Sequence, residues 1–335
     1  MKLGTPRWWY VKSGGPAPVT RALLTPISWL WAASTARRIA KAIPTEVAAP
    51  VICVGNVTMG GAGKTPIVRE LLLTLTRRGV EAHGLSRGYG GKLKGPVRVD
   101  PTRHTAAEVG DEPLMLAQDF PMWVARDRAA GAIAASAAGA GAIVMDDGHQ
   151  NPSVRKALSL VVVDGETRGG EWPFGDGRVF PAGPMREPLK VGLARADAVI
   201  VLLPVDMPQP DFDLLVEFGD MPVLVARLEP AAPVPEGPQV GFAGVGKPWK
   251  VEKALTAAGC QLVDFAPFPD HGAYDEGTLK MLADRAQVYG AGLVTTEKDW
   301  IRLPPAWRAR VTPWPVRARF DDEAALEELL AKAGL

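Results

Sequence analysis

The chain has few of the residues that mark a secreted, disulfide-built protein. Among 335 residues there are two cysteines, Cys53 and Cys260. Cys53 sits in an apolar run, and the pair lacks metal-ligand spacing, so a reduced, cytoplasmic protein is the simplest reading. Net charge is nearly absent as well. The total of +1 gives no global field that would point to nucleic acid. No repeat at solenoid periods is present. The uncharged run from Ala22 to Ala36 is shorter than the ~18–20 residues a membrane-spanning helix needs. The most local absence is of acid, because no Asp or Glu precedes Glu46.

The same acid-free stretch is rich in other things. It carries Lys2, Arg7, Lys12, Arg21, Arg37, Arg38 and Lys41, with Trp8, Trp9, Tyr10, Trp29 and Trp31. Leu23, Leu24, Ile27, Leu30 and Trp31 fall on one helical face. Basic ends, an apolar face and interfacial aromatics describe a helix lying on an anionic bilayer. A core helix with solvated ends has the same pattern. Ser34-Thr35-Ala36 faintly resembles a signal-peptide cleavage site. Secretion conflicts with the nucleotide site described next, so membrane association is the expectation.

What is abundant is apolar residue and glycine. A hydrophobic content of 47% fills two cores, and the length suggests about two domains. From Val51 the chain reads as a buried strand, a glycine-rich turn, Gly63-Lys64-Thr65 and then a helical pattern from Ile67 to Arg78. That order suits a nucleoside triphosphate. Glycines let backbone N–H groups converge on phosphate, and the helix start adds partial positive charge. Lys64 would reach the β/γ-phosphates and Thr65 would offer its hydroxyl to Mg²⁺. The binding loop is Thr58, Met59, Gly60, Gly61, Ala62, Gly63, Lys64, Thr65 and Pro66. Thr58 departs from the general pattern G-x-x-x-x-G-K-[ST], which wants glycine there.

Strand-like runs at 82–85, 122–125, 142–145, 158–163 and 198–203 alternate with helical ones, which predicts a mostly parallel sheet covered on both faces. A proline-rich stretch from Pro204 to Pro238 suggests a domain junction. The expected organisation is a membrane-interacting segment (1–45), a P-loop NTPase-like α/β/α kinase domain (46–222), a linker (223–238) and a smaller α/β domain (239–335).

Several side chains could carry chemistry. Asp146 and Asp147 end a buried strand, where ligands bind in open α/β sheets, so they are expected to hold Mg²⁺ rather than only cap the turn to Gly148. Asp111 begins a helix, where it would either orient an acceptor hydroxyl or serve as the helix cap. His271 follows Asp270 in a loop and could join an acid–base pair. His149 follows the double aspartate and could serve the same region. Arg87, Lys92 and Arg186 lie in glycine- or proline-rich loops and could grip a phosphate. In Thr296-Glu297-Lys298-Asp299 the lysine adjoins the aspartate, which does not match the guanine-reading pattern Asn-Lys-x-Asp.

Together these segments resemble the tetraacyldisaccharide 4′-kinase (lipid A 4′-kinase) family over nearly the whole chain. The resemblance rests on Gly55-Asn56-Val57-Thr58 with residues 60–66, Ser86-Arg87-Gly88-Tyr89-Gly90, and Gly110-Asp111-Glu112-Pro113. It continues in Asp146-Asp147-Gly148-His149-Gln150, Pro181-Ala182-Gly183-Pro184-Met185-Arg186-Glu187, Phe268-Pro269-Asp270-His271 and Thr295-Thr296-Glu297-Lys298-Asp299. Threonine at 58 is usual in that family. The resemblance implies a kinase on the cytoplasmic face of the bacterial inner membrane. It would move the γ-phosphate of ATP to the 4′-hydroxyl of a tetraacyl disaccharide 1-phosphate, a lipid A precursor. By motif, Asp111 would be the catalytic aspartate, paired with His271, and Asp146 and Asp147 the magnesium pair. Asn151 and Gly272 stand where histidines are common there. No protein partner is implied. The other readings are a P-loop GTPase or metallochaperone switch, and a non-enzymatic membrane ATP sensor.

Overall fold

The computed structural model describes residues 6–12, 17–168 and 170–335. Lys2 of the basic segment lies outside the described residues, as does the side chain of Arg7.

Helix α1 (Pro18–Lys41) precedes the first strand. Then come β1 (Val51–Gly55), α2 (Lys64–Arg77), β2 (Ala82–Ser86), β3 (Val97–Arg98), α3 (Ala106–Val109), α4 (Asp111–Leu116) and β4 (Met122–Val124). The chain continues through α5 (Arg128–Ala137), β5 (Ala142–Asp146), β6 (Leu158–Asp164), α6 (Leu189–Leu193), β7 (Ala198–Pro204), α7 (Phe212–Val216) and β8 (Val223–Pro230). These strands join β13 in one nine-stranded sheet of order β13-β8-β7-β6-β1-β5-β2-β4-β3, in which only β13 (Val316–Phe320) and β3 run antiparallel to their neighbours.

Alternation along β1 explains the two layers of helix. Ile52 and Val54 pack with Ile67, Leu71 and Leu75 of α2 and with Leu326 and Leu330 of α12 (Glu323–Lys332). Val51 and Cys53 pack on the opposite face with Ala132 and Ala135 of α5. A strand buried on both faces must be apolar at every position, as this one is. β1 lies between β5 and β6, so the loop leaving it opens beyond the carboxyl edge of the sheet.

The second unit is a four-stranded parallel sheet of order β10-β9-β11-β12. It comprises β9 (Pro238–Ala243), α8 (Pro248–Ala257), β10 (Gln261–Pro267), α9 (Glu276–Val288), β11 (Gly292–Thr296), α10 (Glu297–Trp300), α11 (Pro305–Arg308) and β12 (Val311–Trp314). Two boundaries differ from the expectation. The first part of the supposed linker 223–238 is β8, whose Leu224 and Ala226 are buried in the large-sheet core. The last residues of the supposed second domain return as β13 and α12, because Ala318, Phe320 and Leu329 complete that same core. The four-stranded sheet is therefore an insertion between two neighbouring strands of the large one.

Helix α1 inverts the usual arrangement. Its buried positions are Arg21, Ser28 and Thr35, a stripe seven residues apart, whereas Leu23 and Leu30 are 72% and 73% exposed. Ile27, Trp29 and Trp31 are exposed too. A core helix would bury the apolar face, so that reading fails. Arg21 does not supply a free basic end. It is buried, pairs with Asp176 at 2.7 Å, and also donates to the Trp8 carbonyl. Trp9 is buried against Phe180, and the Tyr10 hydroxyl donates to the Met59 carbonyl, so the first aromatic cluster docks on the protein body. Among the described residues, no helix is long and apolar enough to cross a membrane.

Candidate active site

The loop after β1 is held from behind. Asn56, fully buried, donates through Nδ2 to the Thr58 carbonyl at 2.9 Å. Arg186 Nε donates to the same carbonyl at 2.9 Å, and Tyr10 holds the next one. The Met59 amide donates to the Pro184 carbonyl at 2.6 Å, and the Arg186 amide to the Val57 carbonyl at 2.8 Å. Thr58 thus pairs antiparallel with Met185. It needs no left-handed φ, which is why glycine is not required there. Gly63 is different, with φ of +77°, and a Cβ there would stand 2.2 Å from Leu202 Cδ2. Lys64 then opens α2, whose N-terminus has no side-chain cap, so its first N–H groups are open to an anion.

Asp146 and Asp147 divide into two roles at the carboxyl end of β5. Asp147 takes a left-handed φ of 51° and turns its Oδ1 to Lys64 Nζ at 3.3 Å and Arg186 Nη1 at 2.8 Å. Burial alone would raise its carboxyl, but Lys64 and Arg186 outweigh it and hold it well below the usual carboxylate range. Asp146 is buried deeper. Burial, reinforced by the charge of Glu112, pushes its carboxyl up to about 7. Arg128 beside it bonds the Asp146 main-chain carbonyl at 3.4 Å, and Asp146 Oδ1 has no hydrogen-bond partner among the described residues. A buried, unpartnered carboxylate oxygen beyond a sheet edge is chemically suited to a divalent cation. No group of three or more His, Cys, Asp or Glu that could hold a metal ion is present among the described residues.

The second unit brings its own groups to this edge. Asp111 starts α4 after Gly110 and is buried, and His271 follows β10 with a left-handed φ of 55°. His271 Nδ1 lies 2.8 Å from Asp111 Oδ2. The Asp111 side chain also accepts from the Glu112 amide at 2.9 Å. Burial opposes the Asp111 charge, but the His271 hydrogen bond and the charge of Lys298 outweigh it, so its carboxyl lies below the ordinary value. Lys298 on α10 reaches Glu112 at 3.1 Å, Asp270 at 3.5 Å and His271 Nε2 at 3.3 Å. Its neighbours bind elsewhere. Glu297 pairs with Arg69 of α2 at 2.9 Å, and fully buried Asp299 accepts from the Gly244 amide at 2.9 Å and the Tyr274 hydroxyl at 2.6 Å.

The two groups of residues share one edge. Glu112 both binds Lys298 and acts on Asp146, and the Gly246 turn of the second unit stands against the Gly61 amide. Arg186 belongs with the glycine-rich loop, since it grips Asp147 and the Thr58 carbonyl. Arg87 and Lys92 are exposed and form no ion pair with a described residue. The His149 ring hydrogen-bonds none of these groups. It is buried between the Gly192 carbonyl (2.8 Å) and Ser159 Oγ (3.2 Å), and burial lowers it to about 4. The reading from sequence assigned Lys298 no role at the site, and Glu112 and Asp270 none of their own. Lys298 stood in the Thr-Glu-Lys-Asp run, whose chemistry was weighed against guanine recognition, while Glu112 and Asp270 stood beside Asp111 and His271 in their motifs.

An open helix N-terminus with a lysine on one flank and a histidine-backed carboxylate on the other form a site of α/β type that is chemically suited to phosphoryl transfer. The profile of the family described as Tetraacyldisaccharide-1-P 4'-kinase matches residues 20–334. A Tetraacyldisaccharide 4'-kinase of Caulobacter vibrioides (strain NA1000 / CB15N) is 87% identical over 335 residues, 100% of both chains. One from Phenylobacterium zucineum (strain HLK1) is 70% identical, covering 98% of this chain and 99% of that protein. A crystal structure of LpxK from Aquifex aeolicus in complex with ATP superposes with a TM-score of 0.74 at 26% identity, covering 94% of this chain and 99% of that one. The chain belongs to the tetraacyldisaccharide-1-phosphate 4′-kinase family.

Proposed function

We infer that the chain transfers the γ-phosphoryl group of ATP to the 4′-hydroxyl of a tetraacyldisaccharide 1-phosphate, with Asp111 as the base. The observation that carries the mechanism is the Asp111–His271 contact at 2.8 Å, made across the two units beside the lysine-bearing loop. The loop 58–66 takes the triphosphate through its open amides, in the manner of a P-loop. Lys64 stabilises charge on the transferring group, and Asp147 with Arg186 keeps Lys64 aimed. Asp146 and Thr65 would hold Mg²⁺, with Asp147 beside them, and the bound ion supplies charge neutralisation on the phosphates. Asp111 accepts the proton of the acceptor hydroxyl as the oxygen attacks. Arg87 and Lys92 are exposed cations available to the 1-phosphate of the acceptor. Arg186, first considered for that contact, serves the ATP side.

The apolar face of α1 supports attachment to an anionic bilayer, where the acyl chains of the acceptor reside. Arg37, Arg38 and Lys41 at its end suit the cytoplasmic leaflet of the bacterial inner membrane. Trp31 Nε1 donates to the Arg186 carbonyl at 3.1 Å, so this face adjoins the loop that grips the phosphate site.

The test is transfer of ³²P from [γ-³²P]ATP to the disaccharide acceptor in mixed micelles. Labelled lipid with stoichiometric ADP supports the reading. Hydrolysis without lipid labelling would favour a nucleotide switch.

A further inference from the structure

Lys298 has a geometry that an ion-pair role alone does not explain. Its ammonium stands 3.3 Å from His271 Nε2, although Glu112 and Asp270 already compensate its charge. We infer that Lys298 is a positioning residue that sets the tautomer of His271 and thereby aims the Asp111 carboxylate at the acceptor hydroxyl. This rests on Asp111 being the base, as proposed above.

An ammonium only donates, so an imidazole nitrogen facing it must accept. The ring proton is then on Nδ1, and Nδ1–H donates to Asp111 Oδ2 at 2.8 Å. The Glu112 amide takes Asp111 Oδ1 at 2.9 Å, so both carboxylate oxygens are fixed. The groups facing the pair come from every surrounding element. They are Lys298 from α10, Arg302 just after it (Nε 3.8 Å from Asp111 Oδ2), Asp270 from the same loop (Oδ1 3.7 Å from Nε2), Glu112 from α4, and the Tyr89 ring at 5.2 Å. Remove Lys298, and the nearest polar group to Nε2 is Asp270, an acceptor. Nε2 would then hold a proton, and the tautomer that feeds Asp111 would lose its enforcement.

Lys298 is itself held in place. Thr296 caps α10, and Glu297 ties that helix to Arg69 on α2, the helix that Lys64 begins. Burial works against its charge, but Glu112, Asp111 and Asp270 outweigh this and keep it an ammonium.

The chain has four histidines, so the imidazole ¹⁵N resonances of the full-length protein are assignable, with His271→Gln locating one of them. In the unmodified protein His271 is expected to show a protonated Nδ1 and an unprotonated Nε2. In Lys298→Met, Nε2 becomes protonated, and kcat falls by roughly 10–100-fold with KM for ATP unchanged, the scale seen when a group orienting a histidine is lost. Lys298→Arg, still purely a donor, keeps the tautomer and recovers turnover. The double variant Glu112→Gln/Lys298→Met removes the carboxylate left unpaired, so a folded sample is available if the single variant unfolds. An unchanged His271 pattern in these Met variants overturns the inference, as does a switched pattern with full turnover. The base assignment is judged separately by Asp111→Ala, because the ¹⁵N comparison needs no turnover.

Discussion

Gly63→Ala tests whether the phosphate loop is shaped by backbone geometry. The residue has φ of +77°, which costs an L-residue about 1–2 kcal/mol. The new methyl would also stand 2.2 Å from Leu202 Cδ2, too close for any real contact. Leu202 lies on β7 inside the large-sheet core, so relief requires a shifted side chain or loop, at about 1–3 kcal/mol. The expected loss is therefore roughly 2–5 kcal/mol, read as a lower urea midpoint at unchanged m-value. Leu202→Ala removes the obstructing methyl. In a double-mutant cycle the overlap part should cancel, giving roughly 1–3 kcal/mol of favourable coupling, while the backbone part persists. ATP affinity should fall in Gly63→Ala and recover only partly in the double variant. A Gly63→Ala protein as stable as the parent, or a cycle with no coupling, would refute the steric account.

Two further outcomes follow from burial. His149 is held neutral because burial lowers its ring from the ordinary 6.5 to about 4. The unfolded chain binds that proton first, so stability is lost as pH falls from 6.5 towards 4, by about 3 kcal/mol at 1.36 kcal/mol per unit. Against His149→Gln, the stability advantage of the parent should shrink over that window, and parallel pH curves would contradict it. On α1, Leu23→Ser/Leu30→Ser removes two exposed side chains, each able to bury about 1.5–3 kcal/mol in a bilayer. Binding to vesicles containing phosphatidylglycerol should drop at least tenfold (~1.4 kcal/mol) with an unaltered thermal midpoint; undiminished binding would remove α1 from the membrane.

The alternation of apolar strands with helices made the class of fold legible, because a sheet covered on both faces leaves runs such as Val51–Val54 with no polar position. The boundary of the second unit was not legible. β13 has the alternating pattern Val316-Arg317-Ala318-Arg319-Phe320, which reads as a half-exposed strand anywhere, and only tertiary pairing with β8 assigns it to the first sheet. At the candidate site, the positions of Lys64, Asp146, Asp147 and Asp111 were readable because each stands at a strand or helix end with a local signature. The different surroundings of Asp146 and Asp147 were not, since they depend on Arg186 arriving 39 residues after Asp147. Trp9, Tyr10 and Arg21 misled for a related reason. Aromatic and basic side chains suit a membrane interface and a buried hydrogen bond equally well, and composition does not separate the two.

Whether Asp111 takes the proton of the lipid hydroxyl is decided by single-turnover transfer of ³²P to the disaccharide acceptor in Asp111→Ala, with ATP affinity measured in parallel. The expected rate is lower by roughly 10²–10⁴ with nearly unchanged ATP binding, as loss of a general base requires. Transfer at the parent rate would remove Asp111 from the proton's path.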